Sequence, residues 1–366
     1  MHTAGAVLSV DLDAIADNWR NLRDRLASGE CGAVVKADGY GLGAAKVSAA
    51  LFGAGCRRYF VATIDEGIQL RETLPADGTI YVLDGLMGDG TADLFDRHGL
   101  IPVLNSPGDI ERWSNHARTN GGRSAILALD TGMSRLGLTR REAETLAQTP
   151  SALDGIGLEY VMSHLACAEE ASNPMNDRQR RSFDEIRVRL PAAKASLANS
   201  GGIFLGAGFH YDLARPGAAL YGVSRTTGAP EKMKQPLVLK AKILQVRVVD
   251  TESTVGYGAT RKVAPGTRLA TVAAGYADGY LRSLGNRGHG FIGDVRVPVA
   301  GRVSMDLIVF DISDVPDGKT GPGDDIVLID DRQTVDDLAE EAGTIGYEIL
   351  TSLGSRYARL YSGADA

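Results

Sequence analysis

The residues best suited to chemistry in this chain sit where apolar runs end. In "VVKADGYGLGA" (residues 34 to 44), Lys36 closes a β-branched run. Lost hydration there lowers an amine's pKa and frees a nucleophile. Such an amine can hold an aldehyde cofactor as a Schiff base, pyridoxal 5'-phosphate being the common case. On that stretch alone, a lysine snorkelling from a rim to water is the commoner arrangement. Gly39, Gly41 and Ala44 also spell the G-x-G-x-x-A of a dinucleotide-binding turn. In that motif the first glycine follows the strand directly. Here "KAD" intervenes, so the glycines read as turn and packing residues, although Asp65 does supply an acid after the next strand candidate. "GKT" at 318 to 320 is a weaker echo of a phosphate loop, since Ser313 stands where its first glycine belongs.

Other segments offer complementary groups. "LDTGMSRLG" (129 to 137) sets Arg135 in a glycine-flanked loop after a strand candidate, where a planar guanidinium can clamp a carboxylate. "SLANSGG" places Ser200 before two glycines, and "ARPGAALYG" places Arg215 before a proline, with Gly217 and Ala218 as further N–H donors. Hydroxyl and backbone N–H groups of this kind hold phosphate. "VGYGATR" brackets Tyr257 with glycines, so its phenol is exposed and available as a general acid or base. Each segment also has a plain reading: a surface arginine, a Ser-Gly-Gly turn, a tyrosine on a hairpin.

These groups need a scaffold, and the alternation of elements describes one. The strand candidates are "GAVVKA", "RYFVAT", "IYVLDG", "IPVLN", "AILALDT", "LEYVMSH", "AKASLANS" and "FHYDLARPG". Between them lie amphipathic stretches such as "GAAKVSAALFGAG", "DEGIQLRETL", "PGDIERWSNHA" and "RREAETLAQ". This α/β order predicts parallel strands with helical crossovers, in a (β/α)8 TIM-like barrel or an open doubly wound sheet. Lys36, Asp84, Asn105, Asp130, His164, Ser200 and Arg215 all fall at C-terminal strand ends, the rim on which a barrel builds its active site. After "GAPEKMKQP", which reads as a linker, the chain turns mainly β, with one late helix expected over "TVDDLAEEAGTIGYEILTSLG". The expected domains are 1–230, the barrel, whose first strand may pair with the other domain, and 231–366, the mainly-β domain.

The 366 residues suffice for two cores; 44% are hydrophobic and the net charge is −7. No long basic run or apolar span occurs, which argues against nucleic acid and membrane as partners. "RQRR" (178 to 181) reads as a solvated helix face. Three scattered cysteines suit a reducing cytoplasm and argue against a disulfide framework or a metal site.

Taken jointly, "AVVKADGYGLG", "LDTGMSRLG", "SHLACAEE", "LANSGG", "ARPGAALYG", "VGYGATR", "AAGYADGY" and "GRVSMDL" resemble the motif series of the PLP-dependent alanine racemases. The match covers nearly the whole chain. It implies a PLP-binding barrel, a C-terminal β domain, and a head-to-tail homodimer that shares its active sites. By the same resemblance, Lys36 would bind the cofactor and act as one base, and Tyr257 of the partner subunit would be the other. His164 would hydrogen-bond Arg215, which would face the pyridine nitrogen, while Tyr40, Ser200, Gly217 and Ala218 would hold the phosphate. Arg135 would contact the cofactor's phenolic oxygen and the substrate carboxylate, and Tyr276, Met305 and Asp306 would touch substrate from the partner chain. The chain departs from the pattern at three places. Ala128 stands where many members carry a carbamylated lysine that orients the arginine. Ser355 replaces a phosphate-site tyrosine, and Ser304 a common cysteine. The implied activity is interconversion of L- and D-alanine. The competing readings are a serine or broad-specificity racemase, a decarboxylase of the same fold and a non-catalytic PLP-binding protein.

Overall fold

The computed structural model describes residues 4–88, 90–223 and 233–363, so most of the expected linker (228 to 236) lies outside the described residues. The chain divides into two units, Ile15–Met233 and Met1–Ala14 with Lys234–Ala366. The first strand, β1 (Ala6–Asp11), belongs to the second of these.

In the Ile15–Met233 unit, β2 (Glu30–Cys31) and β3 (Ala33–Val34) form one strand parted at Gly32. From β3 a parallel sheet runs through β4 (Arg58–Val61), β5 (Thr79–Val82), β6 (Leu100–Leu104), β7 (Arg123–Ala128), β8 (Ile156–Met162) and β9 (Lys194–Ser196). The short β10 (Leu213–Ala214) pairs in parallel with β2. It also meets the far edge, since Asp212 N donates to Ala195 O at 3.0 Å and Arg215 N to Ala198 O at 2.8 Å. Hydrogen bonds therefore pass around a closed ring, the TIM-type barrel expected from the alternation. Strand interiors such as Ile80, Val82, Ile126 and Leu127 are buried, as parallel strands covered on both faces require.

Helix ends follow their caps. Thr63 and Glu66 form a capping box at Ile64–Arg71, as Thr139 and Glu142 do at Arg140–Gln148, and Ser106 caps Pro107–Thr119. The strand starts are closed by polar side chains. Arg58 Nε donates to Glu30 Oε2 at 2.9 Å and Tyr160 Oη to Glu30 Oε1 at 3.0 Å. Burial pushes the Glu30 carboxyl up, but the Arg58 guanidinium outweighs it and holds the group below its usual range. With that end filled by satisfied pairs, the C-terminal rim carries the chemistry.

The other unit is mainly β: β11 (Leu237–Val248), β12 (Ser253–Val255), β13 (Arg261–Val263), β14 (Arg268–Val272), β15 (His289–Ile292), β16 (Val295–Pro298), β17 (Ile308–Asp311), β18 (Asp325–Ile329) and β19 (Ala358–Ser362). β1 lies between antiparallel β11 and parallel β19. Two register shifts along β11 let this one strand serve both β18 and β14. The single late helix expected from sequence is two, Val335–Ala342 and Gly346–Ser352. Gly343, at φ +75°, takes the left-handed C-cap and ends the first. No helix among the described residues is long and apolar enough to cross a membrane.

Candidate active site

Lys36 follows β3 after Val35 and opens a turn of unusual backbone. Ala37, Asp38, Gly39 and Tyr40 take φ of 52°, 53°, 60° and 54° in succession. Three are not glycine, so the left-handed region is strained there and must be held from outside. Glu66 does this: its Oε1 accepts Ala37 N at 2.7 Å while Oε2 accepts Ala62 N at 2.7 Å. The capping pattern T-x-x-E announces Glu66 in the sequence, but its reach to the Lys36 turn appears only in the fold. Asp38 Oδ1 accepts Ala44 N at 2.8 Å, at the start of the helix Ala44–Gly53. The chain's own carboxylate therefore fills the place a pyrophosphate takes in a dinucleotide turn. Glu66→Gln puts an amide N–H against one of these backbone donors, with an expected cost of about 1–3 kcal/mol; an unchanged denaturant midpoint counts against the tether.

Lys36, Asp84, Arg135, His164 and Arg215 share one electrostatic basin at the rim. Burial, then the cations Arg215, Arg135 and Lys36, push the His164 imidazole down to about 3, so it is neutral near pH 7. Burial and Glu66 raise the Asp84 carboxyl, while Lys36 and Arg135 oppose the rise. Arg215 is 4% exposed, and burial brings it down to about 10, still a cation. Its Nη2 donates to Ser163 O at 2.6 Å and its Nη1 to Ser196 Oγ. No hydrogen bond joins it to His164 among the described residues; the guanidinium is held by these groups of neighbouring strand ends, and it acts on the imidazole through its charge. Arg135 is exposed on its loop, and Ala128, buried at the end of β7, has no polar group to offer it.

His164 yields a pH prediction. Its folded pKa lies below its unfolded value near 6.5, so between about pH 3 and 6.5 the unfolded chain binds the extra proton. Its contribution to stability is fully present above about 6.5 and is lost as pH falls toward 3. His164→Gln should therefore flatten the fall in melting temperature between pH 7 and pH 4.5; equal slopes would refute the assignment.

Ser200 opens the helix Ser200–Phe204, and its Oγ accepts Gly217 N at 2.9 Å and Ala219 N at 3.3 Å. Gly217 N–H and Ser200 Oγ are thereby brought together at one point of the rim. A Cβ on Gly217 would lie 2.4 Å from Tyr40 Oη, so only glycine lets the phenol in. Tyr40 stacks on Tyr221 with ring centroids 4.6 Å apart, and burial lifts its hydroxyl to about 12, keeping it a proton donor. A lysine amine and this hydroxyl-and-glycine cradle on the same rim would fit pyridoxal 5'-phosphate, the amine meeting its aldehyde and Tyr40 and Ser200 with the Gly217–Ala218 backbone meeting its phosphate.

The mainly-β unit gathers the remaining candidates at one of its ends. Tyr257 tips the β12–β13 hairpin and is 70% exposed. The glycines flanking it pack on Arg302. Tyr276 N donates to Ser304 O and Ala277 N to Met305 O, both at 3.0 Å, which joins the Tyr276 turn to the Met305–Asp306 segment. Arg356, which sequence reading missed, clamps both: it grips Asp278 through two bonds of 2.6 and 2.8 Å and Asp306 at 2.6 Å. The Asp306 carboxylate is therefore already paired within the chain.

Comparison with known proteins agrees along the whole length. The family described as "Alanine racemase, N-terminal domain" matches residues 10–225, and "Alanine racemase, C-terminal domain" matches residues 237–361. The alanine racemase of Rhodospirillum rubrum is 52% identical over 98% of this chain and 96% of its own. The catabolic alanine racemase of Mesorhizobium japonicum is 48% identical over 98% and 94%. The crystal structure of alanine racemase from Bartonella henselae with covalently bound pyridoxal phosphate superposes with a TM-score of 0.94. It is 41% identical and covers 98% of this chain and 100% of that one. Fold, rim and relatives together define an amino-acid isomerase dependent on pyridoxal phosphate. The chain belongs to the alanine racemase family, whose reaction is the interconversion of L- and D-alanine.

Proposed function

We propose that the chain carries out this reaction in the cytoplasm as a homodimer with shared active sites, using Lys36 of one subunit and Tyr257 of the partner subunit as its two bases. The observation that carries the reading is a division of labour. The barrel places Lys36 beside Arg135, His164 and Arg215, while the tyrosine best placed to act on an outside ligand, Tyr257, stands exposed on the other unit. With Tyr257 at 70%, Tyr276 at 40% and Met305 at 52% exposure, this end bears exposed apolar side chains beside the Arg356–Asp306 pair, a mixed surface suited to a second copy of the chain. Its three cysteines are free, in keeping with a reducing compartment.

Bound pyridoxal phosphate supplies the electron sink that acidifies the substrate α-C–H. The protein does the rest. The exposed Arg135 guanidinium pairs with the substrate carboxylate and fixes which bond is presented. Lys36 Nζ takes or returns the α-proton on one face, and the Tyr257 hydroxyl does so on the opposite face. Arg215, fixed as a buried cation, would disfavour a proton on any cofactor nitrogen it faced, which would limit the sink and restrain side reactions such as transamination. Neutral His164 adds no further positive charge to the basin. The holoenzyme incubated with L-alanine or L-serine in deuterated water should label the α-carbon and form both enantiomers of alanine, with serine slower. Absence of α-exchange and D-alanine would end the proposal, and faster serine turnover would reassign the substrate.

A further inference from the structure

The helix Pro174–Arg187, which contains the basic "RQRR" run, turns Asn176, Gln179, Phe183 and Ile186 inward, and Gln179 is 0% exposed. All of its amide is used. Ala166 N donates to Oε1 at 2.8 Å, while Nε2 donates to His164 O at 2.9 Å and to Thr131 Oγ1 at 3.3 Å. A backbone N–H can only donate and a carbonyl can only accept, so these partners fix which way the amide faces. The bonds continue in one direction. Ser163 Oγ donates to Leu129 O at 2.7 Å, so it accepts from the Thr131 hydroxyl 2.8 Å away, which itself accepts from Gln179. The Ser163 carbonyl then receives Arg215 Nη2.

Thr131 lies at the root of the loop that bears Arg135. Asp130 Oδ1 shapes the same loop, accepting Gly132 N at 2.9 Å and Ser134 N at 3.0 Å. A single buried amide thus ties the Arg135 loop to the His164 backbone, and through Ser163 to the residue that anchors Arg215. We propose that Gln179 is a positioning residue for substrate carboxylate recognition: it sets where the Arg135 loop stands relative to the His164–Ala166 strand end. This rests on the assignment of Arg135 to the carboxylate. A glutamate at 179 has the same length but no donor, so it repels the His164 carbonyl and reverses the chain at Thr131. A methionine fills the space and leaves both loops unlinked.

The test uses PLP-loaded enzyme and propionate, a carboxylate without an ammonium group, as competitive probe. In Gln179→Glu and Gln179→Met, the inhibition constant for propionate and the KM for both alanine enantiomers should rise together by about tenfold, with kcat and the cofactor's visible absorbance nearly unchanged. Thr131→Val should do the same and Thr131→Ser should not, which keeps the question open to decision if a Gln179 variant fails to fold. Adding Arg135→Ala to Gln179→Glu should give no further rise beyond that of Arg135→Ala alone. Unchanged propionate binding with a lowered melting temperature would overturn the positioning role, leaving Gln179 as a packing residue. Unchanged propionate binding in Arg135→Ala would instead overturn the carboxylate assignment itself.

Discussion

Lys36→Ala is expected to abolish racemisation, by at least about 10⁴-fold, and with it the visible absorbance of lysine-bound cofactor. The two losses should coincide because one amine both holds the cofactor and moves the proton. The fold should survive. Among the described residues no hydrogen bond of the Lys36 side chain holds the turn that follows it; that turn is held by backbone bonds such as Gly39 N to Val35 O (2.8 Å) and by Glu66. The variant should therefore melt close to the parent measured without cofactor. This separates chemistry from collapse: loss of colour and activity with an unchanged melt supports the assignment. Retained racemisation would move the base elsewhere, and a large fall in melting temperature would make Lys36 structural.

Tyr257→Phe should lower racemisation by about 10²–10⁴-fold in both directions, because an equilibrium constant of unity ties the two kcat/KM values together. Cofactor absorbance should stay, since the phenol lies on the unit that does not carry Lys36. The distinguishing readout is α-exchange in deuterated water: one enantiomer should still exchange through Lys36 while the other stops. Complementation tests the shared site. Mixing inactive Lys36→Ala with inactive Tyr257→Phe chains and allowing exchange should restore about a quarter of parental activity. Half of the random dimers are then mixed, each with one site that keeps both bases. No recovery, with subunit exchange shown by mass, would place both bases in one chain.

How much of this was legible beforehand depended on the range of the interaction. The parallel barrel showed itself because buried strands and covering helices impose local periods, and caps such as Thr139–Glu142 mark helix starts within four residues. Lys36, His164, Ser200 and Arg215 could be picked out since each ends an apolar run, and Arg135 since its loop is flanked by glycines; their joint order resembled one family. What stayed hidden was set by contacts between distant residues. Gln179 looked like part of a solvated basic face, yet it is buried because its helix turns that one position against two loops some 15 and 48 residues away. Glu66 carries a local capping signal, and only the closed ring brings its carboxylate to Ala37. Arg356 has no motif, and its pairing with Asp278 and Asp306 spans 78 and 50 residues.

The break at Gly343 marks the opposite failure, a local signal overrun by a longer helical pattern. Sequence by itself thus determined which side chains are proposed for the chemistry and the elements that bear them, since those follow from local period and strand-end placement. Only the tertiary structure decided how they are held: the left-handed turn under Lys36, the neutral His164 amid three cations, and the amide that links the loops. Those depend on burial and on partners brought together across the ring, which no local pattern encodes.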